Sequence, residues 1–156
     1  MGIVKKVEKA ENVKIVKGDF PVKYKYTMPA HHEKFFQALR DRGAFTGAKC
    51  EKCGTTYVPP VAFCEKCFVR VEKVADLKDT GVLQAFTVAH EGPEGAPLAA
   101  PVVYGIVKLR GASTVMLHKV LADPKKLKAG AKVKAQLKPP NKRKGSITDI
   151  EGFVPV

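Results

Sequence analysis

Apolar and polar residues alternate along several short segments of the second half of the chain, which is the pattern of half-buried β-strands. These segments are 69–74, 102–109, 114–120 and 132–137. Gly105 interrupts the most apolar of them, and a glycine inside a strand indicates a bulge or a sharp bend. Residues 91–101 contain three prolines and two glycines and are expected to form a long loop. We predict that residues 69–156 form an OB-type barrel, with a β-sandwich as the alternative.

A helical period marks residues 30–44, where Phe35, Phe36 and Leu39 fall on one face of the predicted helix. Gly43 stands just past its end, at the position of a left-handed cap. The apolar stripe could pack into the protein's own core or dock on a partner, and we expect it to dock. Residues 1–29 are too poor in apolar side chains to fold alone, so we predict an extended N-terminal arm.

All four cysteines of the chain lie between these two regions, as two C-x-x-C pairs separated by ten residues. The pairs are Cys50/Cys53 and Cys64/Cys67. Two such turns facing each other complete a tetrahedral thiolate site, which suits zinc first and iron second. Since no ligand position is left for water, the metal is expected to be structural. Two structural disulfides and a redox motif are the alternatives, and the absence of a signal peptide and of a surrounding βαβ pattern disfavours them.

The resulting layout is an arm over residues 1–29, a helix over 30–44, a zinc ribbon over 45–68 and a barrel over 69–156. The fold class is therefore mainly β with a short N-terminal helix, a rubredoxin-like zinc ribbon being followed by an OB-fold barrel. No apolar run reaches membrane-spanning length and the first residues are charged, so we expect a soluble, cytoplasmic protein.

Composition adds a net charge of +13, unevenly placed along the chain. Residues 101–156 carry 12 basic and 3 acidic side chains, whereas residues 51–100 carry 5 and 7. This balance favours an anionic partner, such as nucleic acid, a phosphorylated cofactor or an acidic protein surface. A lysine-rich solvated surface is the alternative.

The order of these parts resembles the zinc-ribbon/OB-fold acyl-CoA-associated proteins, long catalogued as a domain of unknown function. The similarity covers about residues 30–156. Its most specific part is the double C-x-x-C motif with Pro59-Pro60 between the pairs. The resemblance implies an accessory subunit in a hetero-oligomer. Similar proteins associate with thiolase-fold enzymes, or with hydratase and aldolase partners, that act on acyl-CoA thioesters, and we expect a thiolase-type partner here. The small subunit of a benzoylsuccinyl-CoA thiolase is a candidate match within this family.

The residues agree with a chain that is not catalytic alone. Every cysteine is committed to the ribbon, and no serine lies in a nucleophile-elbow pattern. His31 and His32 begin the helix and are expected to be exposed to solvent. His90 and His118 lie in predicted strands and are expected on a barrel face or an interface.

Positive charge has a use in coenzyme A chemistry, because the coenzyme carries a 3′-phosphate and a diphosphate. Lys142, Arg143 and Lys144 form the densest basic cluster, and we predict that they contact these phosphates, a solvated basic turn being the alternative. A zinc ribbon, an OB barrel and a high pI are also typical of nucleic-acid-binding proteins. The barrel offers few aromatic residues for base stacking, so nucleic acid is the second hypothesis.

Overall fold

The computed structural model describes residues 23, 25–92 and 95–156. Most of the predicted arm over residues 1–29 lies outside the described residues. Helix α1 spans Ala30–Arg42 and ends at Gly43, whose φ of 64° gives the predicted left-handed cap. None of the helices in these ranges is long and apolar enough to cross a membrane.

Two β-structures follow the helix. The first is a three-stranded antiparallel sheet in the order β2-β1-β3, with β1 at Phe45–Lys49, β2 at Thr56–Tyr57 and β3 at Val74–Leu77. The second is a closed barrel in the order β4-β5-β6-β8-β7. Its strands are β4 at Thr80–Glu91, β5 at Pro97–Leu109, β6 at Met116–Val120, β7 at Lys132–Leu137 and β8 at Ile150–Pro155.

The barrel is five-stranded, and its topology is that of an OB fold. β4 pairs with both β5 and β7, which closes the barrel, and β6 pairs with β8 in parallel. Single 3₁₀ turns at Pro124–Lys126, Pro140–Lys142 and Ile147–Asp149 occupy the connections around β7 and β8. The predicted fold class is confirmed, and the β-sandwich alternative is excluded.

Two of the expected segment boundaries are wrong. Residues 69–73 do not form a regular strand, because Val71 N–H donates to the carbonyl of Ala62 within the ribbon. The expected loop over 91–101 is shorter, since β4 and β5 continue on both sides of it as an exposed hairpin. Pro101 is tolerated there because it lies beside the register shift between Ala89 and Glu91.

The apolar stripe of α1 is buried in the protein's own core. Phe35 and Leu39 have no exposed surface and belong to the main apolar cluster, which is continuous with the barrel interior. The ring of Phe45 lies between those of Phe35 and Phe153, with centroids 6.2 and 6.4 Å away. The expectation that this stripe docks on a partner is therefore wrong. The helix is held against β1 by core packing instead.

Gly105 lies where the barrel interior has no room for a side chain. A β-carbon added there would lie 2.5 Å from Leu83 Cδ1 and 2.6 Å from Val120 Cγ2. The paired strand β4 shifts register between Leu83 and Ala85, close to this point. The glycine therefore lets β4, β5 and β6 curve tightly around the core, as the sequence pattern indicated.

Candidate metal centre

Two equivalent turns hold the cysteine pairs. Gly54 N–H donates to the carbonyl of Cys50, and Phe68 N–H donates to that of Cys64, both at 2.8 Å. In each turn the N–H of the first cysteine donates to the carbonyl five residues later, at 2.9 Å. Gly54 and Phe68 both have positive φ, at 73° and 55°. The backbone thus repeats one knuckle twice, and each knuckle directs two sulfurs to the same place.

The four sulfurs form a site of the right size for one metal ion. The Sγ atoms of Cys50, Cys53, Cys64 and Cys67 all lie within 4.8 Å of one another. Cys53 Sγ and Cys64 Sγ are 3.6 Å apart, and the four cysteines are free thiols. Zinc–sulfur bonds of about 2.3 Å in a tetrahedron place the sulfurs about 3.8 Å apart. The donor set and its spacing therefore fit a tetrathiolate metal and not two disulfides.

Neighbouring hydroxyl groups favour the thiolate form at two of the four sulfurs. The Thr55 hydroxyl lies 3.2 Å from Cys53 Sγ and lowers the pKa of that thiol to about 6. Tyr57 Oη lies 3.2 Å from Cys64 Sγ and lowers the pKa of Cys64, while this hydrogen bond raises the pKa of Tyr57 to about 12. Burial and the nearby sulfurs raise the pKa of Cys67 to about 12. Four thiolates this close repel one another, so a bound cation is needed to ionise them all.

The ribbon has its own small core, distinct from that of the barrel. Its fully or nearly buried members are Ala48, Cys50, Tyr57, Cys64 and Val71. Two of these five are metal-site cysteines, and a third is the tyrosine that contacts one of them. We expect a core this small, built partly from the site itself, to depend on a bound ion for its folding.

Side chains of the turn after β5 form hydrogen bonds with the ribbon at and just after β2, away from the cysteines. Thr114 Oγ1 accepts from Val58 N–H at 2.7 Å and lies 3.2 Å from the carbonyl of Val58. Ser113 Oγ accepts from Thr56 N–H at 3.0 Å. Val58 itself packs into the main core, and the Val58–Pro59 bond is cis. β2 therefore anchors the ribbon on the barrel, and the metal site lies beyond this anchor.

Phe68 is a feature that the sequence reasoning missed. It occupies the position that Gly54 holds in the first knuckle, so its positive φ could have been expected from the repeat. Non-glycine residues with a branched or bulky side chain rarely adopt this conformation. The ring gains little from burial, because 85% of the residue is exposed.

We expect Phe68→Gly to raise the melting temperature of the metal-loaded protein, because it relieves backbone strain of about 1 kcal/mol. The greater chain entropy of glycine in the unfolded state offsets part of this gain. Phe63→Gly is the matched control, since Phe63 is also an exposed ribbon phenylalanine but lacks a positive φ. The control should lower the melting temperature. Equal losses in both variants would contradict the assignment of strain to Phe68.

The basic loop, which we define as Lys142, Arg143 and Lys144, exposes two of its charges to solvent and holds the third against the protein. Arg143 Nε donates to the carbonyl of Lys138 at 2.7 Å, and its guanidinium lies against Gly43 at the C-terminal end of α1. A cation at this end is favoured by the helix dipole. Lys142 and Lys144 are exposed to solvent. Arg143 thus fastens the loop to the helix, and the two lysines are free to contact a ligand.

A buried carboxylate shapes this loop. Asp149 has no exposed surface and accepts hydrogen bonds from the backbone N–H groups of Lys144, Gly145 and Ser146, at 2.7 to 3.1 Å. Ser146 completes a capping box by accepting from Thr148 N–H at 3.3 Å. The spacing Ser146-x-x-Asp149 is that of a capping box and could have marked Asp149, but its burial and its bonds to Lys144 and Gly145 are seen only in the structure.

The histidines do not form a second metal or catalytic cluster. His31 Nε2 lies 2.7 Å from the carbonyl of Val71, and both His31 and His32 are half-buried, so the expected solvent exposure is wrong. The cause is that the start of α1 lies against the ribbon. His118 is half-buried beside Phe153, and burial lowers its pKa. Across the described ranges, the four cysteines are the one group that could hold a metal.

Comparison with known proteins agrees with this geometry. Residues 38–72 match the family model of the ChsH2 rubredoxin-like zinc ribbon domain, and residues 74–138 match that of the ChsH2 C-terminal OB-fold domain. A crystal structure from Sulfolobus solfataricus, described as a DUF35-family protein of unknown function, is 31% identical. The similarity covers 68% of this chain and 77% of that one, with a TM-score of 0.58.

A second solved structure, the "Ltp2-ChsH2(DUF35) aldolase", shares the fold at 20% identity and a TM-score of 0.61. It covers 84% of this chain and 98% of the matched one. No curated protein matches the sequence. The paired domain matches and the Sulfolobus relative show that the chain belongs to the zinc-ribbon/OB-fold proteins of the DUF35 family.

Proposed function

We propose that Cys50, Cys53, Cys64 and Cys67 bind one structural zinc ion. The convergence of all four sulfurs and the match to a zinc ribbon domain support zinc. When bound, the ion neutralises thiolate charge and joins the two knuckles. Iron is the competing metal for four thiolates. Metal analysis of protein purified without added metal distinguishes them, and about one zinc per chain is expected.

We further propose that the chain is a non-catalytic accessory subunit of a thiolase-type acyl-CoA complex, an acyltransferase. It docks on the catalytic subunit and helps to position an acyl-CoA thioester that both subunits share. The observation that carries this proposal is that all four thiols of the chain are gathered in one site. No cysteine is then left as a nucleophile, so the partner must supply the reacting groups.

The comparisons support the proposal that the partner is an enzyme, but they do not support one class of enzyme over another. One of the two solved structures described above is the "Ltp2-ChsH2(DUF35) aldolase", in which the DUF35 protein is named together with Ltp2. The thiolase type and the acyl-CoA substrate come from the resemblance of the motifs. The small subunit of a benzoylsuccinyl-CoA thiolase is the specific candidate within this class.

The accessory role is tested by purifying the tagged, metal-loaded chain from the cytoplasmic fraction of native cells, with nuclease treatment and at moderate salt. We expect a stoichiometric catalytic subunit, whose thiolysis of acyl-CoA thioesters, benzoylsuccinyl-CoA first, falls when this chain is removed. A preparation with no enzyme subunit and unchanged activity on depletion would refute the accessory role.

The basic loop is our proposed contact for the phosphates of the coenzyme. Lys142 and Lys144 are exposed on a turn that Asp149 and Arg143 hold in place. Lysine ammonium groups on a fixed turn can pair with the 3′-phosphate or the diphosphate. The guanidinium of Arg143 already contacts the carbonyl of Lys138 and the end of α1 at Gly43. Only its remaining exposed atoms could therefore contact a phosphate, and the two lysines are expected to contribute more.

We expect the double variant Lys142→Ala/Lys144→Ala to raise the KM of the reconstituted complex for acyl-CoA about tenfold, with kcat nearly unchanged. Each exposed charged contact contributes little alone, so the two are removed together. Lys125→Ala/Lys126→Ala is the matched control, because these two lysines are also exposed and, like Lys142, lie on a 3₁₀ turn. Equal KM values in both double variants would exclude the contact.

Nucleic acid binding is the second candidate, and the net charge of +13 on a chain with an OB barrel favours it. Single-strand binding needs aromatic platforms, whereas the outer faces of β5 and β6 contribute Tyr104 alone among aromatic residues. Nuclease-sensitive material in place of an enzyme subunit would support this candidate.

A further inference from the structure

The outer face of the barrel at β5 and β6 is apolar and exposed. Ile106 on β5 lies directly across from Leu117 on β6, and both side chains point outward from the barrel. Leu117 is 70% exposed, an unusual value for leucine in the middle of a barrel strand. Isolated exposed apolar residues need no explanation, but a contiguous set does.

This face continues into a groove of about 750 Å³ beside β6. Leu117 and Leu121 line one part of the groove, and Ile147 of the last 3₁₀ turn lines another. All three are among the exposed large apolar residues of the chain. We define the β6 surface as Ile106, Leu117, Leu121 and Ile147.

Unpaired positive charges flank the β6 surface. Lys119 lies across from Tyr104 at one end of the row, and Lys108 lies two residues beyond Ile106 at the other. Both lysines are exposed, and neither has an acidic partner among the described residues. Lys138 also lines the groove, and Glu151 is the one carboxylate in its lining. The rim is therefore net positive, and an apolar centre with such a rim is complementary to an apolar patch bordered by carboxylates.

We propose that the β6 surface is the docking site for an acidic-rimmed apolar patch of the catalytic subunit. This inference rests on the proposed accessory role and adds which face of the protein contacts the catalytic subunit. Phe35 and Leu39 of the α1 stripe are not available for docking because they are buried in the core, and Phe36 is partly buried against it. A partner side chain or helix enters the groove beside Leu117, while Lys108 and Lys119 pair with carboxylates at the rim.

The chemistry of the β6 surface favours a protein over a nucleic acid. The four aliphatic side chains gain free energy from contact with apolar protein surface, whereas single-strand binding uses a series of stacking rings, and Tyr104 is the one tyrosine, phenylalanine or tryptophan in the groove lining. Aliphatic and aromatic anchors in a groove are the usual centre of a protein interface, and flanking charges steer the encounter.

The test uses the full chain carrying its metal and the catalytic subunit that accompanies the wild-type protein, each purified separately. We expect Leu117→Glu to weaken their binding at least about 100-fold, because it places a carboxylate in the apolar centre and against an acidic rim. Phe63→Glu is the matched control, since Phe63 is 63% exposed but lies on the ribbon. The control should bind within about threefold of the wild type.

Leu117→Ser accompanies the glutamate variant and keeps the test valid if Leu117→Glu folds poorly. Melting temperatures of the Leu117 variants and of Phe63→Glu close to that of the wild type establish that they are folded. Binding of Leu117→Ser and Leu117→Glu within threefold of the wild type would overturn the docking site and leave the accessory role intact. A wild-type chain that carries nuclease-sensitive nucleic acid and no enzyme subunit would overturn both.

The rim charges give an independent readout. Wild-type association should slow as salt is raised, and Lys108→Glu/Lys119→Glu should slow it at least tenfold at low salt and reverse its salt dependence. The same salt dependence in the wild type and this variant would contradict an acidic rim on the partner.

Discussion

Removing the metal from the four-cysteine site is expected to unfold the ribbon while the barrel stays folded. The ribbon core contains Cys50 and Cys64 themselves, together with Tyr57, so it loses its centre when the sulfurs separate. Structural zinc contributes on the order of 10 kcal/mol to the folding of small ribbons. The barrel, with α1, has a separate and larger core that includes no metal ligand.

Hydrogen exchange with mass spectrometry measures this difference directly. After chelation, peptides from residues 49–71 should lose their protection, while peptides from β5 and β7 should keep theirs. Adding zinc back should restore the pattern. The proposed β6 surface belongs to the barrel, which is expected to stay folded without metal. We therefore expect metal-free protein to bind the proposed partner still, but more weakly than the wild type with its metal.

Cys64→Ser provides the genetic form of the same experiment. It removes one of four sulfurs, and its effect on metal affinity should exceed the roughly 10- to 100-fold of an outer-shell change. Tyr57→Phe is the matched control, because it removes only the hydroxyl 3.2 Å from Cys64 Sγ and keeps every ligand. Full protection of the ribbon in metal-free protein would show that the metal is not needed for the fold.

Asp149→Asn is expected to lower the free energy of unfolding by about 3 kcal/mol, which corresponds to a fall of roughly 10 °C in melting temperature. The buried carboxylate accepts from three backbone N–H groups, of Lys144, Gly145 and Ser146. An asparagine amide would place its own N–H against some of these donors. Calorimetry of both proteins at pH 7 measures the difference.

The effect of Asp149 should depend on pH. Burial alone would raise its pKa, but the backbone N–H groups and Lys138 outweigh burial, and the pKa is lowered. A carboxyl group whose folded pKa lies below its unfolded value of about 4 stabilises the protein fully above that value. This stabilisation is lost as the pH falls further. The difference between the wild type and Asp149→Asn should therefore shrink below about pH 4.

Asp123→Asn is the matched control for this substitution. Asp123 also accepts from a backbone N–H, that of Lys125, at the start of a 3₁₀ turn, but it is exposed. A single exposed cap contributes about 1 kcal/mol or less. Equal melting temperatures for the two variants would show that the hydrogen bonds accepted by the buried Asp149 carboxylate do not stabilise the loop.

The sequence by itself determined the parts whose signals are local. The two C-x-x-C pairs predicted the metal site, because a short turn with two thiols needs no distant residue to define it. Strand alternation and Gly105 predicted the barrel, since the side-chain period of a strand is set by the backbone. The left-handed conformation at Gly43 and Gly54 also followed from local chemistry.

Only the tertiary structure decided what each surface faces. An apolar stripe is equally suited to a core or to a partner, and the contact of Phe35 with Phe45 places it in the core. Arg143 and its lysine neighbours form one cluster in the sequence but separate in space, because the guanidinium reaches Gly43, one hundred residues earlier. Leu117 became part of an apolar surface when β6 paired with β5. Long-range packing sets these relationships, and no local pattern encodes them.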